Sequence, residues 1–239
     1  MPTIFNLQKW PRNIRNKYYS YIMEAFRDIA DQDYVGYRLC ALGGAGAGPC
    51  EALSQQFAEK YLKAILAFHG VSTFDHRGKA IHELSILLER IDVHLPNLWR
   101  AMQLTKEEIA FVKGLHNEAR YVAKEVFTTA EAHLKMADQV ARKLRIACET
   151  PGADEVSGFK RGEANWARRK GTGWLWWKYN CCDKARAALE RHNLQLGGTR
   201  LAPRFPRTIR LPKKRLLVQF RDLGSPYYEE AQKIVKVVS

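Results

Sequence analysis

The chain has 239 residues, 46% of them hydrophobic, and a formal net charge of +14. That hydrophobic share supplies a core and excludes a globally disordered chain, while the charge points to nucleic acid, an anionic surface or an acidic protein as partner. Five cysteines, odd in number and without a CxxC, exclude a secreted disulfide framework and a zinc ribbon.

The charge is uneven: residues 1–150 carry +3 and residues 151–239 carry +11. The N-terminus lacks the apolar h-region of a signal peptide, and no apolar run approaches the length of a membrane span. The expectation is a soluble, cytoplasmic protein with no membrane contact.

From Arg15 to about Leu42 the pattern is helical. Tyr18, Ile22, Phe26, Ile29, Asp33 and Tyr37 recur at spacings of three and four, and Asp33 interrupts the apolar stripe. GGAGAGPC, residues 43–50, follows. Four glycines ahead of a helix suggest a phosphate cradle, but the patterns fail at definite positions. A dinucleotide fingerprint follows a strand and needs a third glycine where Pro49 stands, and a Walker loop needs Gly-Lys-Ser/Thr where Gly48 is followed by Pro49 and Cys50. Pro49 also removes a donor, and Glu51 already places negative charge at the helix start. The loop reads as a connector, and Pro49 opens the next helix.

In that helix Leu53, Phe57, Tyr61, Ala64, Ile65 and Phe68 form one stripe, widened by Ala58, Leu62 and Leu66. So broad an apolar surface predicts a helix packed on two sides, at the centre of a bundle and stopped at Gly70. Gln56, Lys60 and Lys63 share its polar face. They suit phosphate contact, or form a solvated strip supported by a Glu59–Lys63 pair at i,i+4.

A third helix is predicted over Lys79 to Ile91, with Ile81, Leu84, Leu87, Leu88 and Ile91 inward and Pro96 as a boundary after it. Two capping boxes come next. Thr105 with Glu108 opens a fourth helix through Lys113 or beyond, and Thr128 with Glu131 opens a fifth running to about Cys148. Residues 149–158 read as a linker. Beyond it a helix is predicted around 176–193, irregular chain over 197–208, a short strand after Pro212 and a last helix from Ser225. Nothing recurs at a solenoid period.

The strongest nucleic-acid signal lies in this C-terminal third. Arg161, Arg168, Arg169 and Lys170 lead into Trp174, Trp176, Trp177 and Tyr179. Arg204, Arg207 and Arg210 alternate with Phe205 and prolines, and Lys213, Lys214 and Arg215 follow. Guanidinium groups pair with phosphates and aromatic rings stack on unpaired bases. The plainer reading makes the tryptophans the core of a small lobe and the cations its solubilising surface.

His116 and Arg120 stand at i,i+4, where a histidine beside a guanidinium could serve acid–base cleavage of RNA. The preferred reading instead places Arg120 in a structural pair with Asp33 or Asp28. His82 reads as a packing or capping residue. Histidines and cysteines never gather at ligand spacing, so neither a metal nor a cofactor is expected.

EALSQQFAEKYLKAIL with His69-Gly70 after it, preceded by FRDIADQDYVGYRL and followed by AIHEL with His82 and by Ala119-Arg120-Tyr121, resembles the HEPN domain family over residues 20–148. ARAALERHNLQLG is similar to a tail of some longer relatives. The resemblance implies an antiparallel bundle of four or five helices, commonly a homodimer. It also implies RNA-related roles, many members being metal-independent RNases and often toxins paired with a nucleotidyltransferase-type antitoxin. Nuclease members carry an Arg followed by a His with four to six residues between. After Arg120 those positions hold Glu125, Val126 and Phe127, and Arg90 precedes His94 by too little. No such pair is therefore expected in the bundle, which argues against RNase activity.

The expected protein is mainly α: a HEPN-like bundle over 1–148, a linker over 149–158, and a smaller basic extension over 159–239, α+β or irregular. It is expected to bind RNA or another nucleic acid in a bacterial stress, toxin–antitoxin or defence setting, as a binder rather than an enzyme, since no catalytic centre is recognisable. Arg204, Arg207, Arg210, Lys213, Lys214 and Arg215 are the main contacts, and Lys60, Lys63 and Arg120 secondary ones. The alternatives are a metal-independent endoribonuclease using His116 and Arg120, and an interaction module for a nucleotidyltransferase-type partner.

Overall fold

A computed structural model describes residues 6–43, 47–115, 131–149, 151, 154–169 and 183–196. The chain divides into two units, Met1–Arg204 and Phe205–Ser239, and every described residue belongs to the first. Among the described residues there is no strand, only one isolated antiparallel bridge between Phe74 and Ala80. The fold is a helical bundle, as the periodicity predicts.

The first long helix runs as α1 (Arg12–Ile22), a π-helical turn (Met23–Arg27) and α2 (Asp28–Leu42). The π turn explains why the predicted stripe fails halfway. It inserts an extra residue into the helical repeat, so the inward face moves by one position. Ile29 is 36% exposed, while Ala30, Asp31, Tyr34, Val35, Tyr37, Arg38 and Ala41 are buried. Asp33, expected within the stripe, lies at its edge.

α3 (Ala47–Phe68) begins two residues ahead of Pro49. It packs against α1, α2, α4 and α7, and every residue from Tyr61 to Phe68 is buried. This is the doubly covered central helix that its broad apolar surface predicts. Phe57 stacks edge-on with both Tyr34 and Tyr37 of α2, at centroid distances of 5.4 and 5.9 Å.

The third helix starts later than predicted. α4 covers Leu84–His94, and residues 79–83 close a loop instead. Asp75 sets this loop: its carboxylate accepts the N–H groups of Arg77 and Lys79, and Gly78 takes a left-handed φ of 76°. The Ile81 N–H donates to the Thr73 carbonyl at 3.0 Å, which withdraws it from a helix. Ile81 is buried all the same.

Pro96 does mark a boundary, and it also opens a helix of its own, α5 (Pro96–Met102), with proline in the first turn. Gln103, at φ 47°, ends it. α6 (Lys106–Gly114) carries the predicted capping box in full. The Glu108 N–H donates to Thr105 Oγ1 at 3.2 Å, and the Thr105 N–H to Glu108 Oε2 at 2.7 Å. Thr128 of the second box lies outside the described residues; the helix it was to open is α7 (Glu131–Ala147).

The segment expected as a linker turns helical partway. α8 (Glu155–Arg169) packs on α5 and α7, and the Glu155 carboxylate accepts the Leu98 N–H of α5 at 3.1 Å. α9 (Asp183–His192) packs on α2, and a 3-10 turn at Leu194–Leu196 packs on α7. Residues 183–192 confirm part of the helix predicted over 176–193. The irregular chain, strand and last helix predicted beyond 196 lie outside the described residues.

Candidate nucleic-acid interface

Lys60 and Lys63 leave α3 on its polar face, and neither is free. Lys60 forms an ion pair with Asp33 of α2. Lys63 is only 6% exposed and holds Glu59 Oε1 at 2.7 Å. The predicted i,i+4 pair is therefore present, but it is buried rather than part of a solvated strip. Asp33 and Asp28, offered as partners for Arg120, are matched with Lys60 and Arg27 respectively. His116 and Arg120 themselves lie outside the described residues.

Glu59 has a second partner. His82 Nδ1 lies 2.9 Å from the same Oε1, and its side chain is 60% exposed against 9% for Glu59. A buried carboxylate thus orients an exposed imidazole, with Nε2 on the outer side of the ring. Arg77 and His82 have four residues between them. This corrects the expectation that no Arg in the bundle meets the nuclease spacing. The pair stands in the loop between α3 and α4, where Arg77 Nε donates to His76 Nε2 at 3.3 Å. Arg186 and His192, with five residues between, meet the spacing in α9.

Two buried ion pairs organise the interior, and neither was foreseen. Arg145 Nε of α7 donates to Asp31 of α2 at 2.8 and 3.0 Å, and Tyr61 donates its hydroxyl to the same carboxylate at 2.6 Å. Burial outweighs these partners and pushes the Asp31 carboxyl up. Seven residues along α2, Arg38 Nε lies 3.4 Å from Asp138 of α7, and Tyr34 donates to that carboxylate at 2.8 Å. Burial pushes Asp138 up to about 6 against the pull of Arg38. Asn193 donates to the Tyr34 hydroxyl at 2.7 Å, and Arg38 donates to the His192 carbonyl. The C-terminal segment is therefore wired into the bundle interior.

A signal for both pairs was present. Asp31 and Arg38 are seven residues apart on α2, and Asp138 and Arg145 are seven apart on α7. That spacing puts each pair on one helix face, two turns apart, and antiparallel helices then match Asp with Arg at both levels. Trp166 was also missed. It is 6% exposed, donates to the Gln195 carbonyl at 3.2 Å, and lies under Arg142.

Of the expected nucleic-acid contacts, Arg161 and Arg168 are exposed on α8. Arg204, Arg207, Arg210, Lys213, Lys214 and Arg215 lie outside the described residues, as do Lys170, Trp174, Trp176, Trp177 and Tyr179. Among the described residues no three His, Cys, Asp or Glu side chains gather as metal ligands, and no helix is long and apolar enough to cross a membrane.

These features define an all-helical bundle whose central helix is sheathed on two sides and whose interior is held by paired charges. Residues 50–147 match the family model of the HEPN domain. A HEPN domain points to a nucleic-acid-related or RNase-like function. No curated protein and no solved structure matches the chain.

Proposed function

We propose that this protein binds RNA through the cations of its C-terminal third. The observation that carries the reading is the charge distribution: +11 of the +14 falls in residues 151–239, beside a HEPN domain that is itself close to neutral. Arg204, Arg207, Arg210, Lys213, Lys214 and Arg215 supply the phosphate contacts. Lys60 and Lys63, committed to Asp33 and Glu59, are left out of that set.

A second reading is favoured by one observation. His82, oriented by Glu59 and preceded by Arg77 at the nuclease spacing, has the form of a general base with a cation nearby in sequence. In that reading the protein is a metal-independent RNase.

One experiment separates the two. Labelled RNA is incubated with the protein in EDTA across a salt series, with filter retention and strand integrity read on the same samples. Binding is expected to weaken steeply with salt, and neutralising the six named cations is expected to flatten the slope by several counter-ions. Affinity independent of salt would refute the phosphate contacts. Cleavage that persists in EDTA and disappears in His82→Gln would replace the binding reading with the second; loss in His116→Ala alone would place the chemistry outside the described residues.

A further inference from the structure

We propose that the loop between α3 and α4, residues 71–83, docks an unpaired RNA strand, with Phe74 as the stacking platform and Arg77 and Lys79 as phosphate contacts. The inference rests on the RNA-binding reading and adds a second contact point within the HEPN domain itself.

A single exposed apolar side chain needs no explanation on its own. Phe74 is different because its backbone is braced from several sides while the residue is left 51% exposed. Its N–H donates to Ser72 Oγ at 3.1 Å and its carbonyl accepts Arg90 Nη1 at 2.9 Å. The same guanidinium nitrogen holds the Ser72 carbonyl at 2.6 Å. The residue also bridges Ala80 across the loop. Beyond it, the Asp75 N–H donates to the Lys79 carbonyl at 2.8 Å, and the Asp75 carboxylate accepts from Arg77 and Lys79 N–H groups at 2.8 and 2.9 Å.

The consequence is a rigid tip. The carboxylate of Asp75 is turned onto the loop's own amides, so Arg77 and Lys79 stand exposed beside an exposed ring. At the base of the loop His82 is anchored by Glu59, and Arg90 anchors the other side from α4. With the backbone fixed before binding, only the ring's own rotations remain to be lost when a base stacks on it. Stacking needs the open face of a base, and a duplex hides those faces except at its ends. The partner that fits is therefore single-stranded.

Fluorescence anisotropy of a labelled oligouridylate and of a blunt RNA duplex tests this with the full chain. Phe74→Ala is expected to weaken the single strand about 5- to 100-fold and the duplex little. Phe74→Trp should restore it. An exposed side chain is replaced in both, and matching far-UV circular dichroism checks that the fold is kept. If the wild-type protein binds the single strand and Phe74→Ala binds it equally, the loop inference alone is refuted and the RNA reading stands. Equal losses on strand and duplex also refute stacking. If the wild-type protein binds no RNA at all, both fall.

Discussion

Asp138 shows how far one buried carboxylate departs from its ordinary chemistry. Its side chain is 1% exposed, and burial raises its carboxyl to about 6 although Arg38 and Tyr34 both favour the charged form. A raised folded-state value means that the folded protein holds the proton more tightly than the unfolded chain. The stabilisation is complete below the unfolded value near 3.8 and is lost as pH rises through about 6. Asp138→Asn cannot titrate. The stability of the wild type relative to Asp138→Asn should therefore fall as pH rises from 4 to 7, by on the order of 3 kcal/mol. Urea denaturation of both proteins at several pH values measures it, and a constant difference would contradict the assignment. The residue was readable as a heptad partner of Arg145 on its own helix. Its burial was not, because nothing local distinguishes an inward Asp from a solvated one.

At the scale of elements, two glycines separate by what faces them. Gly162 of α8 lies against α7, where an added Cβ would meet the Ile146 carbonyl oxygen at 2.9 Å and Ile146 Cγ2 at 3.0 Å. A backbone oxygen cannot step aside without moving a helix, so Gly162→Ala should cost about 1–3 kcal/mol through overpacking. Gly36 of α2 faces Leu53, with an added Cβ at an ordinary 3.6 Å. There the helix gains from alanine, and Gly36→Ala should be neutral or stabilise by up to about 1 kcal/mol. Thermal melts of the two variants would decide it, and equal behaviour would refute the proposed difference in helix spacing. The helices themselves were largely legible: the Thr105 box and the two-sided surface of α3 both appear where local chemistry puts them. α4 was placed too early because the apolar spacing continues through Ile81 while Asp75 and Gly78 turn the chain. α8 was missed because Pro151, Gly152 and Gly158 suggest a linker, yet α8 continues through Gly158 and Gly162 is what allows its close approach to α7.

For the molecule as a whole, the HEPN match over 50–147 does not bound the folded unit. Residues 154–169 and 183–196 contribute Phe159, Trp166, Leu189 and Leu196 to the same core, and Asn193 is wholly buried against Tyr34. Removing residues 183–239 would strip Asn193 and the His192 carbonyl from the Tyr34–Arg38–Asp138 network, taking one hydrogen bond from Tyr34 and one from Arg38, each loss costing about 1–3 kcal/mol. A chain ending at residue 204 keeps all of these contacts. Calorimetry should therefore show a larger fall in melting temperature for the chain ending at 182 than for the chain ending at 204. Equal falls would contradict a supporting role for residues 183–196.

The amino-acid sequence by itself determined the helical class, the central position of α3 and the capping of α6. Each follows from periodicity or from chemistry within a few residues of chain. Only the tertiary structure decided which polar side chains go inside. The π turn at Met23–Arg27 shifts the face of α2 by one residue, and antiparallel placement of α2 and α7 then sets Asp31 against Arg145 and Arg38 against Asp138. A charge can enter the core only where its partner arrives at the same depth, and that depth is fixed by the register between helices rather than by either helix alone.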